Sequence, residues 1–156
     1  MLGKIVGIFI SPRAMTPMIS VKEAKLEIDR GIVGDRYHSS LGTFSKKLAG
    51  LPDKEITLVE VEEIERLNES TSLNINLGDL RRNLVTEGVR LNELVDKCFF
   101  VGDTTLKGIR LCEPCKHLEK LIGEEIVPSL MHRGGLRAKI ISGGVIRVDD
   151  KVNEYK

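Results

Sequence analysis

Cys112 and Cys115 stand in the run Arg110-Leu111-Cys112-Glu113-Pro114-Cys115-Lys116-His117-Leu118, spaced C-x-x-C with cations on both sides. Apolar Leu118, Leu121 and Ile122 follow at helical spacing, so the pair sits where a strand gives way to a helix. A thiol at a helix N-terminus feels the positive end of the dipole, and neighbouring cations add to it. Both effects favour thiolate, the form that attacks sulfur, carries sulfur or binds a soft metal. The pair allows three readings. It can be two small buried residues at a turn, half of a zinc site completed by His117, His132 or His38, or a dithiol redox motif. No second C-x-x-C or H-x-x-x-H completes the zinc set. Thioredoxin-like proteins place their dithiol after the first strand of a βαβ unit, whereas this one comes late in a β-rich chain.

Three cationic clusters accompany the thiols. Gly34-Asp35-Arg36-Tyr37-His38 follows Ile32-Val33. Arg81-Arg82-Asn83 heads an apolar strand, and adjacent side chains on a strand point to opposite faces. At least one of these arginines therefore enters the interior and needs an anionic or carboxylate partner. Met131-His132-Arg133-Gly134-Gly135-Leu136-Arg137 sets an imidazole and two guanidiniums around a Gly-Gly turn, whose backbone N–H groups can face an anion. Each cluster alone is most often solvated surface. Together they point to a phosphate-bearing or otherwise anionic ligand.

The elements that must position these groups are mostly short strands. Lys4–Ile10 is β-rich and nearly continuous in apolar character, as a buried strand would be. Val21–Ile28 alternates, with Ala24, Leu26 and Ile28 on one face, and Ile56–Val59 and Arg82–Thr86 are further candidates. Cys98–Val101 and Thr105–Leu111 predict a hairpin around Gly102-Asp103. Lys139–Ile141 and Val145–Val148 predict a second one around Ser142-Gly143-Gly144. Helices are expected near 60–68 and 115–122, with a short turn at Leu91–Val95 and a mobile loop over Tyr37–Leu51. No regular βαβ alternation appears, so the fold class expected is β-rich mixed α/β. Its natural form is a bent antiparallel or mixed β-barrel with a few short helices.

Composition narrows the function. A chain of 156 residues predicts one domain, 1–156, with a core of useful size. A net charge of +1 argues against nucleic acid and acidic membranes, and the absence of Trp argues against a base-stacking platform. The apolar N-terminal run is too short to span a bilayer and lacks a basic leader, so no membrane association is expected. Three cysteines, an odd number, fit a reduced cytoplasmic setting better than a disulfide framework.

Four segments, in order, also resemble one family. G-D-R-Y-H (34–38), R-R-N-L-V-T-E-G-V-R-L-N-E-L-V (81–95), R-L-C-E-P-C-K-H-L (110–118) and H-R-G-G-L-R-A-K-I (132–140) closely resemble the MOSC domain. That domain is named for the C-terminal part of molybdenum cofactor sulfurase. The resemblance implies a barrel-like fold that handles activated sulfur or binds the molybdenum–molybdopterin cofactor through one cysteine. That cysteine maps to Cys115, as catalytic residue and metal ligand, while Cys112 fits a position less regularly cysteine. Arg82 and Asn83 match the family's R-x-N-type strand. Arg36 and His38 match its G-D-R-H region, with Tyr37 interposed. His132, Arg133 and Arg137 complete the expected cofactor-binding set, and Arg82, Arg133 and Arg137 are the expected phosphate ligands. Sulfur would come from a separate pyridoxal-dependent cysteine desulfurase, or electrons from a donor protein if the chain is a small molybdenum-dependent reductase. The rival readings are a C-x-x-C dithiol oxidoreductase and a non-catalytic sulfur or cofactor carrier docking on a partner enzyme. Cys115 is expected to be more accessible and more acidic than Cys98, and replacing Arg66, on the polar side of a helix, is expected to be nearly neutral for ligand retention.

Overall fold

The computed structural model describes residues 2–43, 45–48, 51, 54–122 and 126–154. In chain order its elements are β1 (Leu2–Ile10), β2 (Ile19–Val21), β3 (Glu23–Glu27), β4 (Gly31–Ile32), α1 (Ser45–Leu48), β5 (Ile56–Glu60) and α2 (Val61–Ser70). There follow β6 (Leu84–Glu87), a 3-10 turn at Leu91–Leu94, β7 (Cys98–Val101), β8 (Thr104–Leu111), α3 (Lys116–Ile122) and α4 (Val127–Leu130). The chain closes with β9 (Leu136–Ser142), β10 (Gly144–Arg147) and β11 (Lys151–Glu154).

Seven of these strands close a mixed barrel in the order β11-β7-β8-β9-β5-β6-β1, with β1 returning to β11 and β2 extending β1. Closure leaves no long open edge for other chains to pair with. All pairings in the barrel are antiparallel except β5 with β6. Parallel neighbours need a crossover, and α2 supplies it. The first expected hairpin forms as β7–β8. The second does not. β9 pairs with β5 and β8, while β10 leaves the barrel to pair with β3 in a separate three-stranded sheet with β4. Gly144, at φ 146°, lets the chain change sheets there instead of folding back. The Tyr37–Leu51 stretch contains α1 and successive turns, with residues 44, 49 and 50 outside the described set.

Two apolar layers explain the sequence pattern. Leu58, Leu84, Leu91, Phe99, Leu106 and Leu136 fill the barrel interior. Val59 and Val85, the next residues on β5 and β6, face outward instead. They pack under Ile64 and Leu67 of α2, Leu118 of α3 and Leu130 of α4. β1 is buried on both faces, which is why it is nearly continuous in apolar character. Ile5 and Ile8 both point inward although three residues apart, because the pairing with β6 shifts register between Ile5 and Gly7. Gly108 permits another close approach, since a Cβ there would lie 2.1 Å from the Leu94 carbonyl oxygen.

Candidate functional site

The cysteine run leaves the barrel at the end of β8 and enters the helical layer at α3. Cys112 lies at the strand's end, 1% exposed, with its N–H donating to the Gly135 carbonyl at 2.7 Å. Cys115 is half-buried against the helical layer, and its carbonyl accepts the Glu119 N–H at 3.2 Å, which opens α3. Cys98 on β7 is also half-buried, so exposure does not rank Cys115 above it. All three thiols are free.

Arg82 holds the cysteine run in place. It is 9% exposed, and its guanidinium donates to Gly134 O at 2.8 Å, Leu80 O at 3.1 Å and Cys112 O at 2.9 Å. The buried arginine expected from the Arg81-Arg82 pair is present, but backbone carbonyls satisfy it rather than an acid. The Gly134-Gly135 turn is equally committed to backbone packing. A Cβ on Gly134 would meet Cys112 O at 2.5 Å, and one on Gly135 would meet Leu58 O at 2.0 Å. The absence of side chains there lets the turn, β5 and the cysteine run lie against one another.

Asn83 ties three strands together. Its side-chain oxygen accepts from the Thr57 N–H at 3.1 Å and the Thr57 hydroxyl at 3.2 Å, while its side-chain amide donates to Phe9 O at 3.1 Å. Asp35, 1% exposed, accepts from the Ser11 N–H at 3.1 Å and from Arg36 at 3.2 Å. Arg36 also lies over the Tyr37 ring, 4.8 Å from its centroid.

These groups border one cleft, with about 650 Å³ of empty space, open solvent included. Cys112 and Cys115 line it together with five cationic side chains, Arg36, Lys54, Arg81, Arg82 and Arg137, and with one carboxylate, Glu113. That carboxylate is engaged elsewhere, meeting His132 Nδ1 at 2.9 Å and accepting the His132 N–H at 2.8 Å. Burial, and then the neighbouring Arg36, hold the Arg81 guanidinium below its ordinary pKa. The cleft therefore has cationic charge in excess of its acids.

The structure brings Cys112, Cys115, Arg36, Arg82, Asn83 and Arg137 to this cleft. It leaves three expected members outside. His38 turns to Glu27, with Nε2 at 2.6 Å from the carboxylate, and that contact lowers the Glu27 pKa. His132 and Arg133 border a second groove with Glu60, Glu62 and Glu63, where Arg133 meets Glu63 at 3.6 Å. The side chain of His117 lies outside the described residues. Among those residues no cluster of three metal-ligating side chains forms. Sequence reasoning missed Arg81, Lys54, Thr57 and Tyr37 as lining residues. Arg81 carried a signal, as the neighbour of Arg82 in the Arg81-Arg82-Asn83 cluster, but Lys54 and Thr57 carried none.

The chain is a closed mixed barrel that carries a thiol and a set of cations at one cleft. The chain belongs to the MOSC domain family, whose model matches residues 45–153. The family's association is with molybdenum cofactor sulfurases. Among solved structures, the YuaD protein from Bacillus subtilis superposes with a TM-score of 0.80 at 16% identity, covering 100% of this chain and 98% of that one. YiiM from Geobacillus stearothermophilus gives 0.76 at 14% identity, over 99% of this chain and 75% of that one. YiiM from Escherichia coli gives 0.66 at 16% identity, over 98% and 70%. At such identities these likenesses establish the fold. No curated protein matches the chain in sequence. Among the described residues no helix is long and apolar enough to cross a membrane.

Proposed function

We propose that the chain binds the molybdenum–molybdopterin cofactor in this cleft, with the Cys115 thiolate as the protein's ligand to the metal. The carrying observation is a reachable thiol on a wall whose cations exceed its acids. A soft thiolate suits molybdenum, and planar guanidiniums suit a phosphate. Arg36, Lys54 and Arg137 are the cations offered to that phosphate, while Arg82 and Asn83 position the walls. When bound, the cofactor would supply two-electron redox chemistry of the oxygen-abstracting kind. An external donor protein would deliver the electrons.

A second reading rests on the same thiol. Cys115 accepts a persulfide sulfur from a separate cysteine desulfurase and passes it to a partner enzyme. The third reading is a dithiol cycle, which would use Cys112, 1% exposed, as the resolving thiol beside Cys115. The odd number of cysteines, three, supports a reducing compartment such as the cytoplasm.

Protein made in cells with intact cofactor synthesis, assayed for molybdenum and pterin, tests the main reading. Wild type and Cys112→Ser are expected to carry both, and Cys115→Ser neither. Molybdenum retained by Cys115→Ser overturns it. A one-sulfur mass increase on Cys115 after incubation with a desulfurase and cysteine, with no molybdenum in any sample, favours the carrier instead.

A further inference from the structure

The cysteine cleft does not end at Arg81. A second groove, with about 1310 Å³ of empty space including open solvent, continues from it, and Arg81 and Leu121 line both. Phe9, Met18, Leu73, Leu121 and Ile122 give it apolar surface, and Asn74, Asn76 and Asp79 line it as well. The Phe9 ring is seated by the lack of a side chain at Gly78, where a Cβ would come within 2.8 Å of it. Methionines lend such a wall an adaptable surface that accepts varied apolar bodies.

Arg81 stands at the junction in an unusual state. Its backbone is left-handed, at φ 63°, a conformation that costs a non-glycine residue energy and clusters at functional sites. Among the described residues its guanidinium has one hydrogen bond, to Thr16 O at 2.6 Å. Asp35, the carboxylate that acts on it, already pairs with Arg36 at 3.2 Å. Asp79, on the groove's polar side, accepts the Asn76 N–H at 2.8 Å. A half-buried cation with spare donors thus shares a groove with a set of apolar side chains.

From this juxtaposition we infer that the groove is a binding site for the organic substrate, an amphipathic small molecule with an anionic head at Arg81 and an apolar body along Phe9, Met18 and Leu73. The inference deepens the proposed function by naming a substrate class for the same site. The head would lie at the entrance to the cysteine cleft, where the chemistry is expected.

Octanoate is a suitable probe, with octanol as its uncharged counterpart. The chain has four methionines, and 13C-methyl labelling makes each a reporter. Met15 and Met18 line the groove, whereas Met131 lines the separate groove beside Glu60. Octanoate is expected to shift the Met15 and Met18 methyls and leave Met131 still. Arg81→Gln should weaken octanoate about tenfold or more, from the loss of charge-assisted bonds, while leaving octanol unchanged. Leu73→Gln should weaken both. Thermal midpoints of the variants show whether they remain folded. Octanoate that shifts no methyl, shifts all equally, or binds Arg81→Gln as tightly as wild type overturns the inference. Molybdenum content is a separate readout. Normal molybdenum without octanoate binding fails the groove alone, and octanoate binding without molybdenum fails the cofactor reading alone.

Discussion

Replacing Arg82 by Met isolates what the buried guanidinium does, because Met retains the length of the stem without its donors. Wild-type Arg82 makes three hydrogen bonds to the carbonyls of Gly134, Leu80 and Cys112, at 2.8, 3.1 and 2.9 Å. Each charge-assisted bond contributes about 1.5 kcal/mol or more, and the abandoned carbonyls lie in a buried site, so the loss should be roughly 3–5 kcal/mol. For a chain of this size that lowers the thermal midpoint by roughly 6–20 °C. Urea unfolding should show a lower midpoint concentration at unchanged slope. Because one of those carbonyls belongs to Cys112, alkylation of the native protein should also accelerate at Cys112. A direct phosphate ligand would behave differently. A variant with a wild-type midpoint and wild-type alkylation pattern, but lost anion binding, would refute the positioning role.

Alkylation of the wild-type protein should label Cys115 and Cys98 in the native state and reach Cys112, 1% exposed, only on unfolding, as mass mapping would show. Arg66, expected from sequence to be neutral, bonds Ser129 O at 2.7 Å and Glu63 at 3.2 Å, so it fastens α2 to α4. Arg66→Ala should cost about 1–2 kcal/mol in urea unfolding, while exposed Lys151→Ala changes nothing measurable. Glu119 accepts the Ile126 and Val127 N–H groups at 2.8 and 2.9 Å, and these bonds, with Lys116, hold its pKa below the ordinary 4.5. The lowered value means its stabilisation is present above pH 4.5 and lost as pH falls through the folded value, so Glu119→Gln should flatten that acid limb of the stability curve. Gly134→Ala should destabilise by roughly 1–3 kcal/mol, because the new Cβ would sit 2.5 Å from Cys112 O, and should expose Cys112 to alkylation.

The strand pattern, the barrel-like class and the helix after Cys115 were legible in the residues, because burial imposes periodicity and both layers here are strongly apolar. The second hairpin failed because turn chemistry at Ser142-Gly143-Gly144 predicts a reversal, and only the surrounding strands decide whether the two arms pair. Helix α4 was invisible for a related reason. Its local sequence offers no capping side chain, and its cap is Glu119 on the preceding helix.

The site shows the same division. Sequence by itself determined that a thiol would lie among cations, since residue type and spacing carry that information locally. Tertiary structure decided which cations. Arg82 was given three carbonyls, while His38, His132 and Arg133 were drawn to Glu27, Glu113 and Glu63. Lys54 was brought to the cleft from a segment that carried no signal for it. A side chain's partners are set by what the backbone places within about 3–4 Å, a reach that spacing along the chain does not encode.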